Sequence, residues 1–124
     1  MSKRVLDVGQ CAPDHAAIRR LVQGTFGAEV VQADRLDDAL AALRRESFNL
    51  VLINRKLDVD YSDGIEILRA IKNDSALAST PVMLVTNYPE HQQAAIAAGA
   101  EPGFGKAELG TGSTREKLAR FLGA

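Results

Sequence analysis

The feature that most constrains the fold is a regular alternation between short apolar runs, each the length of a buried strand, and segments with helical apolar spacing. The run at 50–53 is apolar at every position, as expected of a central parallel strand covered by helices on both faces. We count five strands and five helices. The alternation therefore predicts an α/β fold: a five-stranded parallel sheet, doubly wound as (βα)5 in three α/β/α layers.

The predicted strands are short, and each is followed by a helix. They lie at 5–8, 29–33, 50–53, 81–85 and 102–106. Asp14 is the predicted cap of the first helix, which Gly24 and Gly27 end. Ser62 or Asp63 is the predicted cap of the third helix. The fourth helix, rich in alanine over 94–98, is expected to pack on the core, and the fifth covers 114–122.

Charge and composition exclude several classes of function. The formal net charge is -1, which gives no electrostatic footprint for a nucleic acid or an anionic membrane. No apolar run approaches the roughly 18 residues of a membrane span. Cys11 is the only cysteine, so an intrachain disulfide and a thiolate metal cluster are both excluded. We expect one cytoplasmic domain over 1–124, with no nucleic-acid or membrane partner.

Several motifs resemble the receiver domain of bacterial response regulators, a chemotaxis-type, flavodoxin-like family. The residues that carry the resemblance are the runs at 48–53, 63–68, 81–86 and 98–100, followed by Lys106. Their order and spacing cover essentially the whole chain. The resemblance implies a flavodoxin-like receiver fold and a role in two-component or phosphorelay signalling.

The resemblance also implies a phosphoryl-accepting aspartate, aided by magnesium, a hydroxyl and a lysine. The acceptor position falls on Asn54, whose neutral amide cannot act as a carboxylate nucleophile. The magnesium-binding acidic pair falls on Gly9 and Gln10. With all three acids replaced, the site retains too little charge to dehydrate the ion. We therefore expect no phosphorylation, no metal, no cofactor and no catalytic residue: a degenerate pseudo-receiver.

Two family positions are retained and one is lost. Thr86 matches the hydroxyl position and Lys106 the lysine, whereas Gly103 stands where the family has its switch aromatic. Phe104 has the opposite strand parity and should point into the core. Without the acids Lys106 should turn outward or pair with another acid, for which Asp7 is a candidate.

The remaining reactive side chains give weaker signals. His15 and His91 are isolated from each other and from cysteine, which favours surface or capping roles over metal binding or acid–base catalysis. Cys11 has no convincing basic partner in sequence and is interpreted as a passive thiol. The loop between Asn54 and Gly64 is about two residues longer than the common family pattern, so its shape is open.

We expect a stand-alone receiver-like domain, not an enzyme, that works through contact with a histidine kinase, another response regulator or an effector. The resemblance implies a contact surface on the fourth helix, fifth strand and fifth helix, which could also form a homodimer. One alternative is a phosphoacceptor that uses Asp58 or Asp60 as a substitute acid. Another is a small ligand or nucleotide binder, although no glycine-rich phosphate loop follows the first strand.

Overall fold

The computed structural model describes residues 3–123, which form one five-stranded parallel sheet with helices on both faces. The strand order is β2-β1-β3-β4-β5, so the predicted fold class is confirmed. A single 3-10 turn, Lys106–Glu108, follows the last strand. The elements in chain order are β1 (Arg4–Val8), α1 (Ala12–Phe26), β2 (Glu29–Ala33), α2 (Leu36–Arg45), β3 (Leu50–Asn54), α3 (Ile65–Asn73), β4 (Val82–Val85), α4 (Pro89–Ala97), β5 (Glu101–Phe104) and α5 (Gly112–Leu122).

The order of the strands reverses at the centre of the sheet. From β1 the chain goes to β2 on one side, and it then returns to β3, β4 and β5 on the other. Leu6 of β1 pairs with Val31 of β2 and with Val51 of β3. In doubly wound sheets such a reversal leaves a crevice beyond the carboxyl ends of the strands. The segments that follow β1 and β3 therefore come together.

The core consists of two apolar layers, one on each face of the sheet. Alternate residues of β3 belong to opposite layers, because successive side chains of a strand point to opposite faces. Val51 and Ile53 pack with α2, α3 and Ala95 of α4, whereas Leu50 and Leu52 pack with α1 and α5. Phe104 is 1% exposed in the second layer, which confirms its predicted core position.

The first helix begins and ends differently from the prediction. It starts at Ala12 with Cys11 as its N-cap, and no side chain caps it, so the prediction of Asp14 as the cap is wrong. Asp14 lies within the first turn, where its carboxylate binds other side chains. Gly27 ends the helix in the left-handed conformation at φ 67°, as predicted, but Gly24 lies inside the helix. The helix continues past Gly24 to Phe26.

The last strand and helix are also shifted. β5 covers Glu101–Phe104 and ends before Lys106, because the chain turns into the 3-10 segment there. The pairing of β4 with β5 shifts register between Met83 and Val85. α5 begins at Gly112, where the Thr111 side chain accepts a hydrogen bond from the Thr114 backbone N–H at 3.3 Å.

The alanine-rich helix packs on the core less than expected. Of its alanine stripe only Ala95 is fully buried, whereas Ala94 and Ala97 are exposed and Ile96 is 40% exposed. The helix packs on the core through Ala95 and Ala98, as expected, but the other residues of the stripe face outward. The exposed face of α4 carries Ala94, Ile96 and Ala97 together with the polar residues Glu90 and Gln93. Within residues 3–123, every helix is too short or too polar to cross a lipid bilayer.

Candidate functional site

The candidate site lies at the carboxyl edge of the sheet. By this we mean the last residues of strands β1, β3, β4 and β5 and the residues that follow them. The sheet brings together all five positions at which the resemblance implies function. Gly9 and Gln10 follow β1, Asn54 ends β3, Thr86 follows β4, and Lys106 begins the 3-10 turn after β5. The topology thus assembles the expected set, and its chemistry depends on the side chains at each position.

Asn54 is held in place by backbone groups of the neighbouring strand end. It is half-buried, and its Nδ2 donates a hydrogen bond to the Gly9 carbonyl at 3.1 Å. The same carbonyl accepts a hydrogen bond from the Asp58 backbone N–H at 2.9 Å. Because Nδ2 is used as a donor, a role that a carboxylate cannot take, the local hydrogen bonding suits an amide at this position.

A leucine occupies the space that an acidic side chain at position 9 would need. Gly9 has φ 79°, in the left-handed region that side-chain-bearing residues rarely adopt. A Cβ atom built there would collide with Cδ2 of Leu57, which is 2% exposed. Both the backbone conformation and the packing therefore oppose a carboxylate at this position.

The long loop places Leu57 against Gly9. Lys56 and Asp63 form an antiparallel bridge, and the Leu57 backbone N–H donates to the Ser62 carbonyl at 2.9 Å. The loop is thus a small hairpin whose base closes where the Gly64 N–H donates to the Arg55 carbonyl at 2.7 Å. The shape of this loop, left open by the sequence, is therefore a hairpin.

The start of the third helix matches the prediction in part. The cap position is Gly64 and not Ser62 or Asp63. However, the Asp63 carboxylate accepts a hydrogen bond from the Ile65 backbone N–H at 3.0 Å, which satisfies one of the first free amides of the helix. Ser62 instead donates its hydroxyl to the Asp60 carboxylate at 2.6 Å.

The side chains at the carboxyl edge do not fit a magnesium ion. Magnesium needs near-octahedral oxygen ligands that include carboxylates, whereas Gly9, Gln10 and Asn54 offer no anionic oxygen. Leu57 fills the space next to Gly9. Among the described residues, no group of three or more His, Cys, Asp or Glu side chains could hold a metal ion.

Gln10 is buried at the same edge, where its side-chain amide lies close enough to Asp7 to lower the pKa of that carboxyl. It is 3% exposed, and within residues 3–123 neither its Oε1 nor its Nε2 has a hydrogen-bond partner. Gln10 therefore adds no charge to this edge, and its amide acts on the Asp7 carboxyl beneath it.

Lys106 pairs with an acid that sequence reasoning did not assign to it. Its Nζ lies 2.7 Å from Oδ2 of Asp14, and both side chains are about one-third exposed. The bond to Lys106 holds the pKa of the Asp14 carboxyl below its ordinary value. Lys106 thus finds another acid, as expected, but the suggestion that Asp7 is this acid is wrong.

Asp7 and His15 form a buried pair beneath the edge. His15 Nδ1 lies 2.7 Å from Oδ2 of Asp7, and the exposed side-chain fractions are 14% and 0%. Burial raises the pKa of Asp7 from 3.8 to about 6, and the hydrogen bond and charge of His15 act in the opposite direction. The surface or capping role expected for His15 is wrong, because α1 turns this side chain towards β1.

Thr86 and His91 lie together at the end of β4. The Thr86 hydroxyl accepts a hydrogen bond from the Tyr88 backbone N–H at 3.3 Å and lies 3.4 Å from His91 Nδ1. His91 is half-buried, and its ring meets that of Tyr88 edge to face at a centroid distance of 5.4 Å. The expected surface or capping role of His91 therefore understates its contacts.

At the position of the switch aromatic, Gly103 is held by hydrogen bonds with Gln92 and Lys117. We call this group of bonds the clasp. A Cβ atom at Gly103 would collide with the Leu84 carbonyl. Gln92 of α4 accepts a hydrogen bond from the Gly103 N–H and donates one to the Leu84 carbonyl, both at 2.9 Å. Lys117 of α5 donates to the Gly103 carbonyl at 2.9 Å. Two helices are thereby tied to this segment of β5.

A cavity of about 210 Å³ opens at the carboxyl edge. Its lining is rich in basic and neutral polar side chains and includes no carboxylate: Asn54, Arg55, Lys56, Val85, Thr86, Asn87, Tyr88, His91 and Lys106. The substitute acids considered for phosphorylation do not line it. Asp60 lines a different cavity beside Leu36, and Asp58 is exposed on the hairpin.

Comparison with known proteins agrees with this fold. The model of the response regulator receiver domain matches residues 11–107. The chain therefore belongs to the response regulator receiver family.

Solved structures with the same fold span essentially the whole chain. The chemotaxis protein CheY4 of Vibrio cholerae has a TM-score of 0.77 at 22% identity, covering 98% of this chain and 99% of that one. A response regulator structure from Chloroflexus aurantiacus has a TM-score of 0.80 at 16% identity, with both chains fully covered. The receiver domain of a Pseudomonas aeruginosa sensor histidine kinase, with magnesium in its active site cleft, has a TM-score of 0.75 at 18% identity, again with full coverage.

Proposed function

We propose that this receiver domain takes part in two-component or phosphorelay signalling without accepting a phosphoryl group, and that it acts by binding a protein partner. The observation that carries the proposal is the packing of Leu57 against Gly9, because it removes the space for a metal-binding acid. Asn54 lacks the carboxylate that would form an acyl phosphate. The domain has no catalytic role in this proposal.

The clasp at Gly103 also supports a domain that is not switched by its own phosphorylation. Side-chain switches need a residue that can change its rotamer, and glycine has none. Gln92 and Lys117 bind the backbone of this segment from two helices. Fixed by these bonds, the surface formed by α4, β5 and α5 would present one shape to a partner. Ile96, 40% exposed on α4, belongs to that surface, which could also receive a second copy of the chain.

Intact-mass spectrometry after incubation with acetyl phosphate and Mg²⁺ tests the absence of phosphorylation. We expect no phosphoryl adduct on the wild-type protein. The matched variant Asn54→Asp restores the acceptor alone, and it should stay unmodified because Gly9 and Gln10 still supply no anionic ligand. An adduct on the wild-type protein that is mapped to any carboxylate, Asp58 and Asp60 included, contradicts the proposal.

Binding to a partner is tested by affinity capture under matched conditions. The tagged protein is used as bait with and without acetyl phosphate and Mg²⁺, and captured proteins are identified by mass spectrometry. We expect a histidine kinase, another response regulator or an effector, recovered equally in both conditions. Recovery that depends on the phosphoryl donor would contradict phosphorylation-independent binding, and failure to recover a signalling protein would contradict the partner class.

A further inference from the structure

The cavity at the carboxyl edge has an unusual balance of charge. Three of its lining side chains, Arg55, Lys56 and Lys106, carry a positive charge, and none carries a negative one. The whole chain has a formal net charge of -1, so this basic cluster is local. With the acids of the edge replaced, an anion near this cavity meets attraction without an opposing carboxylate in the lining.

Two of these cations have no acidic partner. Lys106 is bound to Asp14, whereas neither Arg55 nor Lys56 forms an ion pair with any residue of the 3–123 segment. Arg55 is half-buried, and its backbone N–H donates to the Val85 carbonyl at 3.2 Å. Its main chain is therefore fixed at the sheet edge.

Aromatic side chains flank the basic cluster. Tyr61 and Tyr88 are the only tyrosines in the chain, and they are 73% and 59% exposed. The Lys56 ammonium lies 5.3 Å from the centre of the Tyr61 ring. Tyr61 also has φ 61°, a conformation that non-glycine residues adopt at an energetic cost and that is found preferentially at binding surfaces. Tyrosine and arginine are the residues enriched among the dominant contacts of protein interfaces.

The size of the cavity restricts what it can hold. Its volume of about 210 Å³ is below the roughly 300–1,000 Å³ typical of clefts for drug-sized ligands. A nucleotide or a flavin would therefore extend beyond it. A single carboxylate-bearing side chain is of suitable size, and the flanking tyrosines would then contact the chain on either side of it.

On the basis of the proposed function, we propose that this cavity receives an acidic side chain from an acidic segment of the protein partner. Arg55 and Lys56 supply the charge, the Asn54 amide and the Thr86 hydroxyl surround the carboxylate, and Tyr61 and Tyr88 contact the adjoining segment. The site lies at the carboxyl ends of the strands and borders α4 through His91. Its unpaired positive charge comes from Arg55 and Lys56, two positions that the family's phosphorylation chemistry does not use.

The test uses a fluorescently labelled ten-residue poly-glutamate peptide as the probe, followed by anisotropy. The variant Arg55→Glu with Lys56→Glu should weaken binding by at least about tenfold, because like charges would then face each other. The matched control is Arg19→Glu with Arg20→Glu, the same charge change on exposed residues of α1, and it should stay within about twofold of wild type. Circular dichroism checks that each variant is folded, and Arg55→Gln with Lys56→Gln gives a milder pair with a smaller loss.

Amide chemical-shift mapping locates the bound peptide. We expect changes at 54–56, 61, 86–88 and 106. The proposal would be overturned if the Arg55/Lys56 and Arg19/Arg20 glutamate variants lost peptide affinity equally. Chemical-shift changes centred elsewhere, or no binding of the peptide, would also overturn it. Inorganic phosphate that binds in the cavity where the peptide does not would also overturn it, in favour of a small oxyanion site.

Failure of this site and failure of the proposed function give different results. If the captured partner binds the Arg55→Glu, Lys56→Glu variant as well as wild type, the cavity proposal is wrong while phosphorylation-independent binding stands. If a phosphoryl adduct forms on the wild-type protein, the proposed function is wrong whatever the peptide does.

Discussion

The buried pair of Asp7 and His15 predicts how the stability of the protein depends on pH. Asp7 is fully buried, and its pKa is raised from 3.8 to about 6, chiefly by burial. The folded state therefore holds this proton more tightly than the unfolded state. Stability is greatest below the unfolded value and declines as the pH rises through the window between 3.8 and about 6, because the carboxylate must then be charged in the core.

The magnitude follows from the size of this shift. A difference of about two pKa units at about 1.4 kcal/mol per unit gives roughly 3 kcal/mol. Asp7→Asn removes the ionisation while keeping an oxygen that can accept a hydrogen bond from His15 Nδ1. The stability of the variant relative to wild type should therefore rise by up to about 3 kcal/mol between pH 4 and pH 7.

Urea unfolding followed by far-ultraviolet circular dichroism measures this difference. The chain has no tryptophan, so the helical signal is the suitable probe. The control His15→Ala leaves the Asp7 carboxylate without its bond, and the decline of stability with pH should then be steeper. Parallel stability curves for wild type and Asp7→Asn across this pH window would refute the reasoning.

Two further predictions concern the packing and the clasp described above. Leu57→Ala should lower the free energy of unfolding by about 2–5 kcal/mol, because a buried side chain is lost next to Gly9. A thermal or urea melt measures this change. A loss below that range would show that Leu57 does not fill the space. Gln92→Ala should cost about 1–3 kcal/mol by leaving backbone groups unpaired. It should also speed hydrogen exchange at the Gly103 amide, whereas unchanged exchange there would show that the clasp does not form in solution.

Most of the fold could be predicted because each strand and helix contains several apolar residues at the expected spacing. β2 was predicted with its observed bounds, Glu29–Ala33, and β3 differs by the single residue Asn54. β3 is buried on both faces and is apolar over residues 50–53, so its position follows from composition. The start of α1 was missed because Asp14 fits the usual N-cap pattern, whereas Pro13 in the first turn allows a helix that begins earlier.

The backbone positions of the site could be predicted, but the partners of its side chains could not. Spacing along the chain placed Asn54, Thr86 and Lys106 at one edge, since the carboxyl ends of parallel strands meet. The bond of Asp7 to His15 depends on the rotation of α1 about its axis, which sequence spacing does not determine. A signal was available in retrospect: Asp7 is a charged residue within an apolar strand, and such a residue needs a partner when buried.

The contacts of Leu57 and Gln92 were the hardest to foresee. Leu57 lies in a loop whose sequence is mainly polar, and its burial depends on the hairpin closed by Lys56 and Asp63. Gln92 looks like an ordinary polar residue of an exposed helix. The Gln92 amide can bond to the backbone of β5 only because Gly103 has no side chain in the way. This contact joins α4 and β5 and cannot be seen from the sequence of either element alone.

The left-handed backbone at Gly9 sets a requirement for any acidic metal site at this edge. Converting Asn54 to aspartate takes one substitution, but an aspartate at position 9 would also need a new backbone conformation and a smaller residue than Leu57. Each change made alone carries a stability cost and supplies only part of a metal site. A metal site at this edge would therefore need concerted changes at positions 9, 54 and 57.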